Sequence, residues 1–112
     1  QLKTLFIPSS IDAALKKSTD IAQQLGWQVH FTDETSGLIE ATYTSALFGF
    51  VDDIVIRVQH ADGLDVRVGE IADEVKTKFR VQIDLRSASR VGESDLGANA
   101  QRIKEFGILL MK

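Results

Sequence analysis

The chain has 112 residues, enough for one domain and hardly more, with 44% hydrophobic and 26% charged side chains. A formal charge of −3, no basic half, and no Lys or Arg run beyond Lys16–Lys17 argue against a nucleic-acid partner and an electrostatic membrane anchor. Cysteine is absent, which removes disulfides, thiol catalysis and cysteine metal ligands, and one proline among eight glycines is unlike a disordered or low-complexity chain.

Leu2 to Ile7 reads as a short strand, punctuated by Pro8-Ser9-Ser10. Ser9 and Asp12 have the spacing of a capping box, and Ile11, Leu15, Ile21, Ala22 and Leu25 form one apolar face of a helix over 10–25. Gly26 is placed to end it. Trp27, Val29 and Phe31 then alternate with Gln28, His30 and Thr32, the pattern of a half-buried strand with His30 on its polar side. A turn at 33–37 joins it to Ile39, Ala41 and Tyr43, which alternate in the same way, so the two runs predict a hairpin. Ala46 to Val51 is the longest apolar run and far too short to span a bilayer. Ile54, Ile56 and Val58 mark a third strand of the sheet core, with Arg57 and Gln59 on the other side. After a turn at 61–63, Leu64, Val66 and Val68 predict another strand and 69–76 a charged connection. Phe79, Val81, Ile83 and Leu85 alternate with Arg80, Gln82, Asp84 and Arg86 in a long final strand. The last helix runs from about Ser94 to Leu110, with Leu96, Ala100, Ile103, Phe106 and Leu110 as its apolar face.

Alternation of this kind marks an antiparallel sheet covered on one side only, and two amphipathic helices are available to cover it. The expected fold class is α+β: a two-layer sandwich with a mainly antiparallel sheet of about six strands and both helices on one face. Residues 1–112 read as a single domain. The opening on Gln1 predicts that it is excised from a longer chain, in which a signal, lipid anchor or membrane segment could precede it.

The densest polar stretch is Ser87 to Asn99, where the last strand meets the last helix. A helix N-terminus carries unpaired N–H groups and partial positive charge. Together with Arg57, Arg86, Arg90, Ser87, Ser89, Ser94, Asp95 and Asn99 it makes a candidate anion site. The competing reading is structural. Ser94 is a good N-cap and Asp95 suits a first turn. Arg57, Arg86 or Arg90 can pair internally with Asp52, Asp53 or Asp95. Adjacent residues on a strand point to opposite faces, so Asp52 and Asp53 cannot form a catalytic dyad; one is expected to meet an arginine and the other solvent. A divalent-ion site built on Asp52 or Asp53 with Asp95 and Asn99 is a minor rival. Phe48-Gly49-Phe50 reads as a bulge or turn whose rings close the core edge, or as an apolar tip that touches a partner or a lipid surface. His30 and His60 have no ligand spacing, and Ser87 and Ser89 lack a nucleophile-elbow context. The 92–97 segment lacks a phosphate-loop lysine, so no cofactor is expected.

Two strings carry a family resemblance. Ile39-Glu40-Ala41-Thr42, Phe48-Gly49-Phe50-Val51-Asp52-Asp53 and Ile54-Val55-Ile56-Arg57-Val58 resemble the middle of the bacterial and plastid family called domain of unknown function 1499. Asp84-Leu85-Arg86-Ser87-Ala88-Ser89-Arg90, Gly92, Ser94-Asp95-Leu96-Gly97, Asn99 and Arg102-Ile103 resemble its signature, and Gly26-Trp27 fits as well. The excursion over 61–78 departs from the family pattern. The resemblance carries no activity. It implies an envelope or membrane-tethered setting, slightly favoured over the cytoplasm.

With no catalytic constellation, the expectation is a non-enzymatic binding or assembly module with an open polar sheet face and a protein partner. The alternatives are a small-anion-binding module at the Arg90–Asn99 corner and, behind it, an Asp/Arg-based hydrolase. Membrane contact would run only through upstream residues or the Phe48/Phe50 segment.

Overall fold

The structure, a computed structural model, describes residues 1–46, 49–61, 80–90 and 96–112. In chain order the elements are β1 (Leu2–Pro8), α1 (Ile11–Gln24), β2 (Gln28–Asp33), β3 (Leu38–Thr44), β4 (Val51–His60), β5 (Arg80–Ser89) and α2 (Leu96–Leu110). The expected strand Leu64–Val68 and the connection after it lie outside the described residues.

Helix α1 forms where expected, with its cap one residue later. Ser10, in extended backbone, accepts a hydrogen bond from the Ala13 amide at 3.2 Å. Ser9, expected to open the capping box, instead donates to the Ser10 carbonyl at 2.9 Å. Asp12 still places a negative charge in the first turn. At the other end the Gly26 amide bonds to Gln23 at 3.0 Å and the Trp27 amide to Ala22 at 2.9 Å, a Schellman closure. That closure needs the left-handed φ of +83° that Gly26 supplies. It also turns Trp27 inward, where its ring stacks on Phe106 at 5.5 Å.

The five strands form one sheet in the order β1-β5-β4-β3-β2, and every neighbouring pair is antiparallel. Ile39, Ala41, Ile54, Ile56, Val58, Val81, Ile83 and Leu85 line its buried face. Ala14, Leu15, Ile21 and Ala22 of α1, and Ile103, Phe106 and Leu110 of α2, pack against them. Among the described residues no element covers the opposite face.

Two local readings are corrected. In β2 the register shifts between Val29 and Phe31, so His30 is an extra residue and the alternation reverses after it. Phe31 therefore stands opposite Glu40 on the uncovered face, 47% exposed, rather than in the core. In α2 the buried face passes through Asn99, Ile103, Phe106 and Leu110, while Ala100 is exposed. A polar side chain thus occupies the core stripe one residue before the expected alanine. The β2–β3 turn is held by the Asp33 carboxylate, which accepts from the Thr35 amide at 2.9 Å. It closes at Gly37, with φ +71°, where a Cβ would fall on the Val58 carbonyl. Only glycine lets the turn come this close to β4.

Candidate functional site

The sheet register builds a polar corner at one end of the core. Tyr43, Asp52 and Ser89 lie side by side across β3, β4 and β5, and the next row is Ala41, Ile54 and Ser87. All six face the helices. Helix α2 lowers Asn99 and Arg102, one turn apart, onto them.

The contacts form one network. Ser87 Oγ donates to Asn99 Oδ1 at 2.6 Å, and Asn99 Nδ2 donates to Ser89 Oγ at 3.0 Å. Arg102 Nη1 reaches Asn99 Oδ1 at 2.9 Å, Ser87 Oγ at 3.1 Å and Asp52 Oδ2 at 2.8 Å. The guanidinium also lies 4.8 Å from the centroid of the Tyr43 ring. Ser87 and Asn99 are each 1% exposed, so these bonds are made away from water, where an unpaired polar group would be costly.

Asp53, the next residue, points through the sheet to the uncovered face. Arg90 grips it bidentately, with Nε 3.1 and 3.0 Å from the two carboxylate oxygens and Nη2 3.0 Å from Oδ1. These hydrogen bonds hold the Asp53 carboxyl below the usual carboxylate range, against a smaller upward push from desolvation; the Arg90 charge and His30 add to the lowering. His30 Nε2 lies 2.6 Å from Thr42 Oγ1. Together His30, Glu40, Thr42, Asp53, Val55 and Arg90 line a shallow groove of about 400 Å³.

The residues expected to act together are therefore divided by the sheet. Ser87, Ser89, Asn99 and Asp52 belong to the buried network, and Asp53 with Arg90 to the outer surface. Arg57 and Arg86 stand further along that outer surface, opposite Asp84 and Val55 respectively. Both adjacent aspartates meet an arginine, where one was expected to be solvated. Ser94, Asp95 and Phe48 lie outside the described residues. Phe50 follows a turn in which Gly49 has φ +67°, and the residue is 54% exposed. Arg102 and Tyr43 were absent from the candidate set, although Arg102 lies three residues after Asn99 and so on the same helix face.

The chemistry of the corner is that of a lock. Ser87 donates to an amide oxygen rather than to a base, and His30 is on the other side of the sheet, so the described residues assemble no nucleophile–base pair there. Among the described residues no group of three or more His, Cys, Asp or Glu could hold a metal ion. Both the Arg102 and the Arg90 guanidinium are already engaged by a carboxylate.

Fold and corner together define a class: an α+β domain with an antiparallel sheet, whose last helix is tied to one sheet end by buried polar side chains. A model of the family described as "Protein of unknown function (DUF1499)" matches residues 1–110, and the chain belongs to that family. No curated protein matches the chain.

Proposed function

We propose that this domain is a non-enzymatic binding or assembly module that works through the sheet face left open by the helices. On this reading it is a two-layer sandwich whose helix layer is closed and whose sheet layer is the working surface. One observation carries the proposal: among the described residues the face is uncovered, and exposed Leu2, Phe6 and Phe31 stand on its two edge strands. Between them run Arg57, Asp84, Arg86, Glu40 and the Asp53–Arg90 pair. Apolar anchors around a mixed-charge centre suit a reversible contact better than an obligate greasy interface. The rival anion site at the Arg90–Asn99 corner is weaker, because Arg90 and Arg102 are both occupied by carboxylates.

A photoreactive side chain placed at Val55 or Phe31 tests the reading, with the same probe at exposed Gln23 of α1 as the control. Adducts in cells from the sheet positions alone are expected. Equal adducts from both surfaces, or none from the sheet, would refute it.

A further inference from the structure

We propose that β1 pairs with β1 of a second copy of this chain, antiparallel and centred on Thr4, so that one sheet runs through a reversible dimer. The proposal goes beyond the reading of the open face, because it uses the edge of the sheet and leaves Val55 and Phe31 free. The backbone decides which groups are offered. The Gln1 amine donates to the Ser87 carbonyl at 3.0 Å, and the Ser87 amide donates to the Gln1 carbonyl at 3.1 Å. In an antiparallel ladder such mutually bonded pairs recur at every second residue. Lys3, Leu5 and Ile7 therefore turn their N–H and C=O groups to β5, while Leu2, Thr4 and Phe6 turn theirs outward. Among the described residues no strand takes them up. The other edge, β2, carries the bulge at His30, whereas the β1 ladder runs unbroken from Leu2 to Pro8. An unbroken open edge is a template for another strand.

Pairing with itself suits this strand in one register. With Thr4 opposite Thr4 of the second copy, the outward groups of Leu2, Thr4 and Phe6 all find partners. Leu2 then lies opposite Phe6 of the second copy, and Lys3 opposite its Leu5. Centring on Lys3 instead would set two lysines face to face. Centring on Leu5 would set Pro8, which has no N–H, against Leu2, whose carbonyl would go unpaired. The side chains agree. Among the described residues six large apolar side chains stay exposed, and four of them, Leu2, Phe6, Ile108 and Met111, flank this edge. Phe6 holds the Arg80 guanidinium 4.7 Å from its ring centroid and is still 40% exposed. On the other side of the sheet α2 runs beside β1. Leu5 Cδ1 and Lys3 Nζ lie 3.7 and 4.0 Å from where a Cβ on Gly107 would stand. Met111, one turn on, borders a groove with Ile7 and Pro8, and Ile108 precedes it by three residues on the same ridge. A two-fold axis perpendicular to the sheet puts both helix layers on one side, so the two α2 ridges meet over the joined strands.

The test is sedimentation equilibrium of the whole chain over a range of concentrations. A monomer–dimer equilibrium is expected, and the Leu2, Thr4 and Phe6 amides, free to exchange in the dilute monomer, should gain protection as the concentration rises. Thr4→Pro removes one outward N–H from each copy, at an edge position that tolerates proline. It should raise the dissociation constant about tenfold or more, and Leu2→Lys should do the same. Leu2 is 78% exposed, so Leu2→Lys keeps the fold, which thermal unfolding of the dilute chain checks. The register has its own readout. The chain has no cysteine, so Thr4→Cys supplies a single thiol. Across the two-fold its Cα atoms stand about 5.5 Å apart, within disulfide reach. Under oxidised glutathione Thr4→Cys should give disulfide-linked dimer, and Leu2→Cys or Thr32→Cys on β2 far less. A chain that stays monomeric to about 1 mM, a dimer indifferent to Thr4→Pro and Leu2→Lys, or equal cross-linking at all three thiols overturns the proposal. Photo-adducts with other proteins at Val55 and Phe31 do not depend on Thr4→Pro, so this edge and the open face fail separately.

Discussion

At the scale of single residues, Asp52 and Asp53 show how strand geometry divides neighbouring charges. Asp52 is held in a mostly buried pair with Arg102. Removing one partner of such a pair strands the other, at a cost of about 3–5 kcal/mol. Arg102→Ala should therefore lower the urea midpoint sharply, while Asp52→Leu combined with Arg102→Met should recover much of the loss. A double variant no better than the single one would show that the pair itself is not the source. Asp53 is exposed, and its carboxyl is lowered by Arg90. A carboxyl depressed in the folded state adds stability above the unfolded value, about 3.9, and loses that contribution as pH falls through its own lower value. The window is thus acidic, and added salt weakens the effect. Carboxyl-detected NMR should find Asp53 titrating low in the parent and at an ordinary value in Arg90→Gln. The same low value in both would remove Arg90 as the cause.

At the scale of elements, helical spacing and strand alternation placed α1, β3, β4, β5 and most of α2, because both periodicities are local properties of the chain. Neighbouring serines are harder to separate: Ser9 and Ser10 both suit a cap, and backbone entry angle chooses between them. Ser10→Ala should cost about 0.5–2 kcal/mol in thermal unfolding and Ser9→Ala much less. Equal losses would mean that the cap is shared. The bulge at His30 was not readable, since Gln28 to Thr32 alternates cleanly and only pairing with β3 reveals the extra residue. Asn99 was misplaced for a related reason. An asparagine fits a core stripe only when Ser87, Ser89 and Arg102 are there to satisfy its amide.

At the scale of the whole molecule, β4 and β5 are paired on both sides, and β1 and β2 are the edges among the described strands. Native-state hydrogen exchange should be slowest at Ile54, Ile56, Ile83 and Leu85, and faster at the outward amides of β1 and β2. Uniform protection across the sheet would contradict this hierarchy. By itself the chain determined its α+β class, its antiparallel sheet, its two amphipathic helices and its family likeness. Those rest on short-range patterns of apolar and polar residues, and on strings that can be read in order. Only the tertiary structure decided which arginine meets which aspartate, where Phe31 and Asn99 point, and that Arg57 and Arg86 stand apart from the corner. These depend on register between strands far apart in sequence, and a one-residue shift in register reverses the face of every side chain that follows.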